Sequence, residues 1–361
     1  MERDASIEWK WHCGTERTAP PCVTMTTTTV PSAPPGLVAD IPRLVPSAAA
    51  DGLSLQVVDK QMVADGVCAI TLAHPDGFRL PDWAPGSHID VILPGELVRQ
   101  YSLCGDRWDP FRYRIAVLRE PSGRGGSAYV HDSLDVGDVL PIGGPRNNFA
   151  LVPSAHYLFI AGGIGITPII PMTRQADLLG TDWSMLYGGR TRSSMAFADE
   201  LAADSRVRVL PQDQHGLLEL DEALAATPAD TTIYCCGPAP LLEAVTAAAK
   251  RYRPGRLRIE RFVAAELPAP ARTCDFDVHL ARSGTTVTVA PDQSVLEAIN
   301  AAGVPMLSSC RQGICGTCEA DVLEGVPDHR DSLLTDTERA ENSCMFVCVS
   351  RSRSDRLVLD L

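Results

Sequence analysis

Four cysteines constrain this chain more than any other feature. Cys310, Cys315 and Cys318 stand at C-x4-C-x2-C, and Cys348 follows downstream in the apolar run from Met345 to Ser350. Thiolates at that spacing suit a plant-type [2Fe–2S] cluster. Gly313 and Gly316 lie inside the loop, where residues without a Cβ let the backbone turn tightly and aim its amides at sulfur. Structural zinc is the competing reading, but zinc ligands usually come as two close C-x2–4-C pairs. Here three ligands crowd one loop and the fourth is remote. Cys344 is a second candidate for that fourth place. Cys348 is preferred because its apolar surroundings can bury it, whereas Cys344 beside Asn342 and Ser343 reads as a loop thiol.

The chain has 361 residues, enough for two or three domains. Its twelve cysteines are spread without a disulfide framework, and the eight outside the cluster set (Cys13, Cys22, Cys68, Cys104, Cys235, Cys236, Cys274, Cys344) point to a reducing cytoplasm. A net charge of −13 argues against nucleic acid as a partner and is compatible with docking on a basic protein face. The most apolar stretch, Leu158 to Met172, is broken by Gly and Pro, so membrane spanning is not expected. The N-terminus lacks an apolar core of the secretory kind.

Residues 1–50, rich in Thr, Pro and Ala, carry no helical or strand periodicity and read as a disordered tail. Trp9 and Trp11 stand out there, and Met25 is a second candidate start. From 51 to 152, short β-like runs (Leu53–Val58, Val67–Leu72, Ile89–Leu93, Gln100–Leu103, Tyr113–Leu118, Val139–Ile142) predict an antiparallel barrel or sandwich. From 153 to 264, strands at His156–Ala161, Trp183–Tyr187, Arg206–Leu210, Thr231–Cys235 and Leu257–Glu260 alternate with helices at Thr167–Leu178, Ala196–Ala203 and Pro238–Lys250. That alternation predicts a doubly wound parallel α/β fold. Residues 265–272 read as a linker. The rest, 273–361, opens with strands at Asp275–Ala281 and Thr285–Val289 and a helix at Ser294–Ala302.

Three segments besides the cysteine loop carry chemistry. On a strand, Arg99, Tyr101 and Leu103 share one face and Gln100 and Ser102 the other. A guanidinium beside an aromatic suits a ligand with a flat ring and a phosphate, although these residues alone fit an ordinary strand equally well. Gly125, Gly126 and Ser127 open a short helical run and offer free N–H groups to a phosphate, or else form a plain hairpin turn. His131 and Asp132 just beyond suit capping or orienting better than catalysis. The third segment is Gly163-x-Gly165 between strand and helix, where Thr167 and Pro168 are expected as N-cap and N1 beside a pyrophosphate. Cys236, Gly237 and Pro238 repeat the strand–turn–helix arrangement, and a buried small thiol is the bland alternative for Cys236.

Taken together, Arg99-x-Tyr101-Ser102, Gly125-Gly126-Ser127, Gly163-x-Gly165-x-x-Pro168, Cys236-Gly237-Pro238 and the four cysteines resemble the phthalate dioxygenase reductase family over residues 52–361. The resemblance implies a multidomain chain: an antiparallel flavin-binding β-barrel, a doubly wound α/β nucleotide-binding domain and a C-terminal α+β ferredoxin domain of β-grasp type. It implies FMN in the barrel, NADH in the second domain, and a cluster passing single electrons to a Rieske-type non-haem iron oxygenase. The cofactor-binding set would be Arg99, Gln100, Tyr101, Ser102, Gly125, Gly126, Ser127, Gly163, Gly165, Thr167, Pro168, Cys236, Gly237, Pro238 and the flavin-covering Phe262, with Cys310, Cys315, Cys318 and Cys348 on iron. FAD occurs in related reductases, and the Gly125–Ser127 turn favours FMN. Arg190 and Arg192 with Ser193 and Ser194 could hold the 2′-phosphate of NADPH, but the resemblance favours NADH.

No catalytic side chain is expected in the hydride step, because flavin exchanges electrons in pairs or singly and the protein's share is positioning. Service to a cytochrome P450, or an electron relay without hydride chemistry, are the alternatives. A monomer is expected. Glu319, Asp321, Glu324, Asp328 and Asp331 form a candidate acidic docking face or a solvated surface.

Overall fold

Strands β1 (Leu53–Ala64), β2 (Val67–Ala73), β3 (Ser87–Leu93), β4 (Leu97–Ser102), β5 (Arg112–Leu118) and β6 (Val139–Asn147) form one antiparallel sheet in the order β4-β3-β6-β1-β2-β5. Its edge strands β4 and β5 approach each other and close a barrel around Leu55, Ile70, Ile89, Tyr113 and Ile115. Helix α1 (Gly126–Asp132) lies against β4 and β5. The computed structural model describes residues 52–95, 97–264, 267 and 269–361, all within one unit spanning Pro42–Leu361. The expected tail, with Trp9, Trp11, Cys13, Cys22 and Met25, lies outside the described residues, as do parts of the expected linker.

Two strands are longer than their apolar runs. β1 continues through Asp59-Lys60-Gln61-Met62 as a ribbon with β2 whose side chains are largely exposed, so burial does not mark it. β6 runs past Gly143-Gly144-Pro145. The ladder with β3 passes from Asp90↔Gly143 to His88↔Arg146, so Pro145, which has no N–H to donate, sits in a register irregularity.

The second sheet is parallel throughout: β7 (His156–Gly162), β8 (Asp182–Gly189), β9 (Val207–Pro211), β10 (Thr232–Cys236) and β11 (Leu257–Glu260), in the order β11-β10-β7-β8-β9. The order reverses between β7 and β10, which places the topological switch point there. Helices α2 (Ile166–Leu179), α3 (Ala198–Leu201), α4 (Gln212–His215), α5 (Leu220–Ala226) and α6 (Ala239–Tyr252) connect the strands. The helix expected over Ala196–Ala203 contracts to α3, because Phe197 takes a left-handed backbone at φ 61° ahead of it. Val67, Cys104, Ala116 and Phe149 of the barrel share one apolar core with Tyr157, Phe159 and Tyr234, which locks the two sheets together.

In the third region β12 (Phe276–Leu280), β13 (Thr285–Val289), β14 (Glu319–Glu324), β15 (Pro327–Asp328), β16 (Cys344–Phe346), β17 (Arg351–Ser352) and β18 (Arg356–Leu359) are joined by α7 (Val295–Ala301) and α8 (Asp336–Glu341). The main sheet runs β13-β12-β18-β14-β16 with β12 and β18 parallel, and α7 packs its Val295, Leu296 and Ile299 into the core. Ser294 and Glu297 form a capping box that starts α7.

Candidate functional site

β4 presents different chemistry on its two faces. Arg99 and Tyr101 pair across the ladder with Val91 and Ile89. Burial pushes the Tyr101 phenol up to about 12, and Arg99 is held below the usual guanidinium range by burial and by the neighbouring Arg124. The Arg99 guanidinium donates to the carbonyls of Val98 (2.8 Å) and Arg124 (3.1 Å), and among the described residues no carboxylate pairs with it. Gly125 has φ 82° and opens α1, and a Cβ on Gly126 would sit 2.7 Å from the Arg99 side chain. Arg99 and the amides of the Gly126 helix start are thus brought together, as a phosphate would require. Ser127 Oγ accepts from the Glu120 amide at 3.0 Å, which leaves its own proton to donate. His131 bonds the Val117 carbonyl and Asp132 pairs with Arg119 at 2.6 Å, so both orient the helix.

The second site is the crevice at the switch point. A Cβ on Gly165 would meet the Cys236 carbonyl at 2.3 Å and Gly237 N at 2.7 Å, and one on Gly237 would meet Gly162 at 3.0 Å. The two turns after β7 and β10 therefore touch backbone to backbone. Thr167 is not the N-cap expected of it. A 3-10 turn over Gly163–Gly165 feeds straight into α2, Gly165 takes the cap position, and the Thr167 hydroxyl donates to the Ile164 carbonyl at 3.0 Å within the first turn. Pro168 follows inside that turn, where its missing N–H costs nothing. Pro238 precedes α6 as its N-cap residue.

Cys236 is fully buried beside Glu260, with Sγ to Oε2 at 4.0 Å, and desolvation raises its thiol well above the usual range. Glu260, which pattern reading passed over, is Cys236's partner on the next strand. Its surface is only partly covered, yet burial pushes its carboxyl up to about 8. Phe262, two residues on, is 37% exposed and free to cover a ring.

The cysteines meet in two pairs. Cys310 lies beside Cys315, and Cys318 beside Cys348, each close enough to shift its neighbour's titration. Within each pair one thiol is pushed down and its neighbour up: Cys315 and Cys318 fall below the ordinary range, while Cys310 and Cys348 rise above it. Two thiol pairs from a C-x4-C-x2-C loop and a distant turn match the donor set of two irons. The amide of Gln312 donates to Cys310 Sγ at 3.2 Å, and Thr317 Oγ1 lies 3.2 Å from Cys315 Sγ. Gly313 and Gly316 have φ of 69° and 75°. A Cβ would strike Val349 and Asp331 at the first and Asn148 at the second.

Cys344 is a strand residue rather than the expected loop thiol. It opens β16 opposite Asp321, outside both pairs, and burial with Glu319 nearby pushes its thiol up to about 11. Two members of the expected acidic face are also reassigned. Asp328 accepts the Ala271 amide and pairs with Arg353, and Asp331 accepts the amides of Leu333 and Leu334 and pairs with Arg339. Both are buried and accept backbone amides, Asp328 from Ala271 in the expected linker and Asp331 from Leu333 and Leu334; Glu319, Asp321 and Glu324 stay exposed.

Gln100 and Ser102 occupy the opposite face of β4, across from Asp90 and His88 of β3. That face meets the cysteine loop. Gln100 Nε2 donates to Asp90 Oδ1 (3.1 Å) and to Ser309 Oγ (3.2 Å), Ser309 donates to Asp90 Oδ1 (2.9 Å), and Arg146 pairs with Asp90 Oδ2 at 2.6 Å. His88 is buried within electrostatic range of Cys315, and its Nε2 has no hydrogen-bond partner among the described residues. Asp90, Arg146 and Asn148 carry no sequence motif, and Ser309, at the head of the cysteine stretch, has no role legible from sequence; the contact brings all four to light.

Residues 278–353 match the 2Fe-2S iron-sulfur cluster binding domain family. The chain is 46% identical over 301 residues to the phenoxybenzoate dioxygenase subunit beta of Ectopseudomonas oleovorans, covering 82% of this chain and 94% of that protein. Among solved structures, phthalate dioxygenase reductase, described as a modular structure for electron transfer from pyridine nucleotides to [2Fe–2S], superposes with a TM-score of 0.63 at 34% identity over 86% of this chain and 98% of that one. An intact type IV self-sufficient cytochrome P450 monooxygenase superposes with a TM-score of 0.81 at 44% identity, over 86% of this chain and 41% of the other.

Proposed function

This chain belongs to the phthalate dioxygenase reductase family of oxygenase reductase components, and on that premise we propose that it takes hydride from NADH and hands single electrons to a Rieske-type non-haem iron oxygenase. The observation that carries the reading is β4 itself: the Arg99–Tyr101 face meets the Gly126 helix start while the Gln100 face bonds the cysteine loop. When bound, flavin supplies two-electron chemistry toward nicotinamide and one-electron chemistry toward the cluster.

The chain's own residues bind and orient. Arg99, Gly125, Gly126 and Ser127 would hold the phosphate of FMN, and Tyr101, Ser102 and Phe262 would bound its ring. Gly163, Gly165, Thr167, Pro168, Cys236, Gly237 and Pro238 would seat NADH in the crevice. NADH is the proposed coenzyme; Arg192, one of the two arginines offered for a 2′-phosphate, lies in an exposed ion pair with Asp199 at 2.7 Å. Cys310 and Cys315 would ligate one iron, and Cys318 and Cys348 the other. The proposed domains are 51–152, 153–264 and 273–361 with a linker at 265–272, a division supported by the first sheet lying in the first range, the parallel sheet in the second, and the remaining five-stranded and two-stranded sheets in the third. We place the protein in the cytoplasm as a monomer; among the described residues no helix is long and apolar enough to cross a membrane.

Anaerobic NADH titration tests the route, with flavin bleaching first and cluster bleaching following. Cys348→Ser is expected to abolish cluster reduction and spare NADH-dependent flavin reduction, whereas Cys344→Ser leaves both intact. If Cys344→Ser alone destroys the cluster, the ligand set is wrong. A second acceptor class, a cytochrome P450, is favoured by the 44% identity to the self-sufficient monooxygenase. Reduction of a purified P450 but of no Rieske oxygenase would decide for it.

A further inference from the structure

Gln100 sits between two residues facing the flavin side, yet its amide leaves that side and enters the cysteine loop. Asp90 is buried and shared by Gln100, Ser309 and Arg146, and Ser309 immediately precedes Cys310. A buried carboxylate with several donors keeps a single geometry, because losing a donor leaves charge uncompensated. The loop also comes close to the end of β6, where a Cβ on Gly316 would lie 2.9 Å from the Asn148 side-chain amide.

We propose that Asp90, Gln100 and Ser309 form a latch seating the cysteine loop on the barrel, and that Gln100 is a positioning residue holding Ser309, the residue before Cys310, from the flavin-bearing strand. This rests on the flavin-to-cluster route proposed above. The latch makes the cluster's environment depend on docking. The loop's own donors to sulfur, such as the Gln312 amide on Cys310 Sγ, stabilise the reduced, more negative state, so a loop seated in one geometry accepts an electron more readily than one lifted from the barrel. Both redox sites then report on one strand, whose side chains alternate between them.

Stopped-flow absorbance on the holoenzyme separates the steps. Ser309→Ala is expected to leave NADH-to-flavin reduction unchanged and to slow cluster reduction ~10-fold, the usual size of an outer-shell effect. Ser309→Thr, which keeps the hydroxyl, restores the rate. Gln100→Leu shifts the cluster's reduction potential to more negative values and alters the electron paramagnetic resonance signal of the reduced cluster. Hydrogen exchange of the amides of 309–316 accelerates in Ser309→Ala and Gln100→Leu alike. Parent-like cluster reduction in Ser309→Ala with a parent potential in Gln100→Leu overturns the proposal, as does unchanged exchange in both. Should NADH bleach no flavin in the parent protein, the electron route fails instead, and the exchange measurement still decides the latch.

Discussion

Burial favours the neutral form of Glu260, a carboxyl that would be ionised at neutral pH on an exposed glutamate. Its carboxyl titrates near about 8 in the folded chain, because burial beside Cys236 penalises the anion. The folded value lies above the ordinary 4.5. The neutral group therefore contributes stability that is fully present below about 4.5 and is lost as pH rises through about 8. Between those limits the folded chain binds a proton the unfolded chain has released, with a slope of at most about 1.4 kcal/mol per pH unit. Glu260→Gln cannot ionise. Its urea midpoint is expected to fall less than the parent's between about pH 5 and about pH 8. An equal fall in both proteins would show that this carboxyl is not the group responsible. The same burial makes Cys236 a poor nucleophile, which fits a site that positions a nucleotide rather than attacking it.

The touching turns after β7 and β10 show how two elements make a site that neither makes alone. Gly165→Ala would press its new Cβ into the Cys236 carbonyl at 2.3 Å, a backbone atom that cannot swing aside. Overpacking of that kind costs about 1–3 kcal/mol. The expected result is a lower melting temperature and a raised KM for NADH, with the cluster's absorbance unchanged. A variant that keeps the parent KM would remove Gly165 from the crevice.

Glycine at 163 and 165, the parallel strand alternation and the cysteine spacing were all legible in the sequence, because each is local: a strand, a turn and a helix start within a few residues. The N-cap assignment of Thr167 missed, since a 3-10 turn absorbed the residues ahead of it. The latch was illegible for the opposite reason. Asp90 and Ser309 are 219 positions apart; Asp90 stands in no motif, and Ser309, at the head of the cysteine stretch, has no role legible from sequence. Their meeting is decided by the register of β3 on β4 and by where the cysteine loop docks. Likewise Asp328 and Asp331 looked like surface carboxylates because composition cannot distinguish an acid facing water from one accepting buried amides.

At the scale of the molecule, the net charge of −13 bears on how electrons leave it. Glu319 directly follows Cys318, one of the proposed iron ligands, and shares an exposed face of β14 with Asp321, while Ala320 between them points into the core. Neither carboxylate has an ion-pair partner among the described residues, so their field reaches solvent beside the cluster. A partner oxygenase with a basic docking face would be steered to this edge, and steering of exposed charges is screened over a Debye length of about 10 Å at 0.1 M salt. Electron delivery to the oxygenase is therefore expected to slow as salt rises, while NADH-to-flavin and flavin-to-cluster steps, internal to the chain, stay constant. Reversing both charges, Glu319→Lys with Asp321→Lys, is expected to lower the association rate ~10-fold at low salt and to flatten its salt dependence, as rim charges act on encounter more than on dissociation. Stopped-flow mixing of reduced protein with oxidised oxygenase across a salt series measures both. If the double variant keeps the parent's salt slope, the charge that steers lies elsewhere on the surface and β14 is not the exit edge.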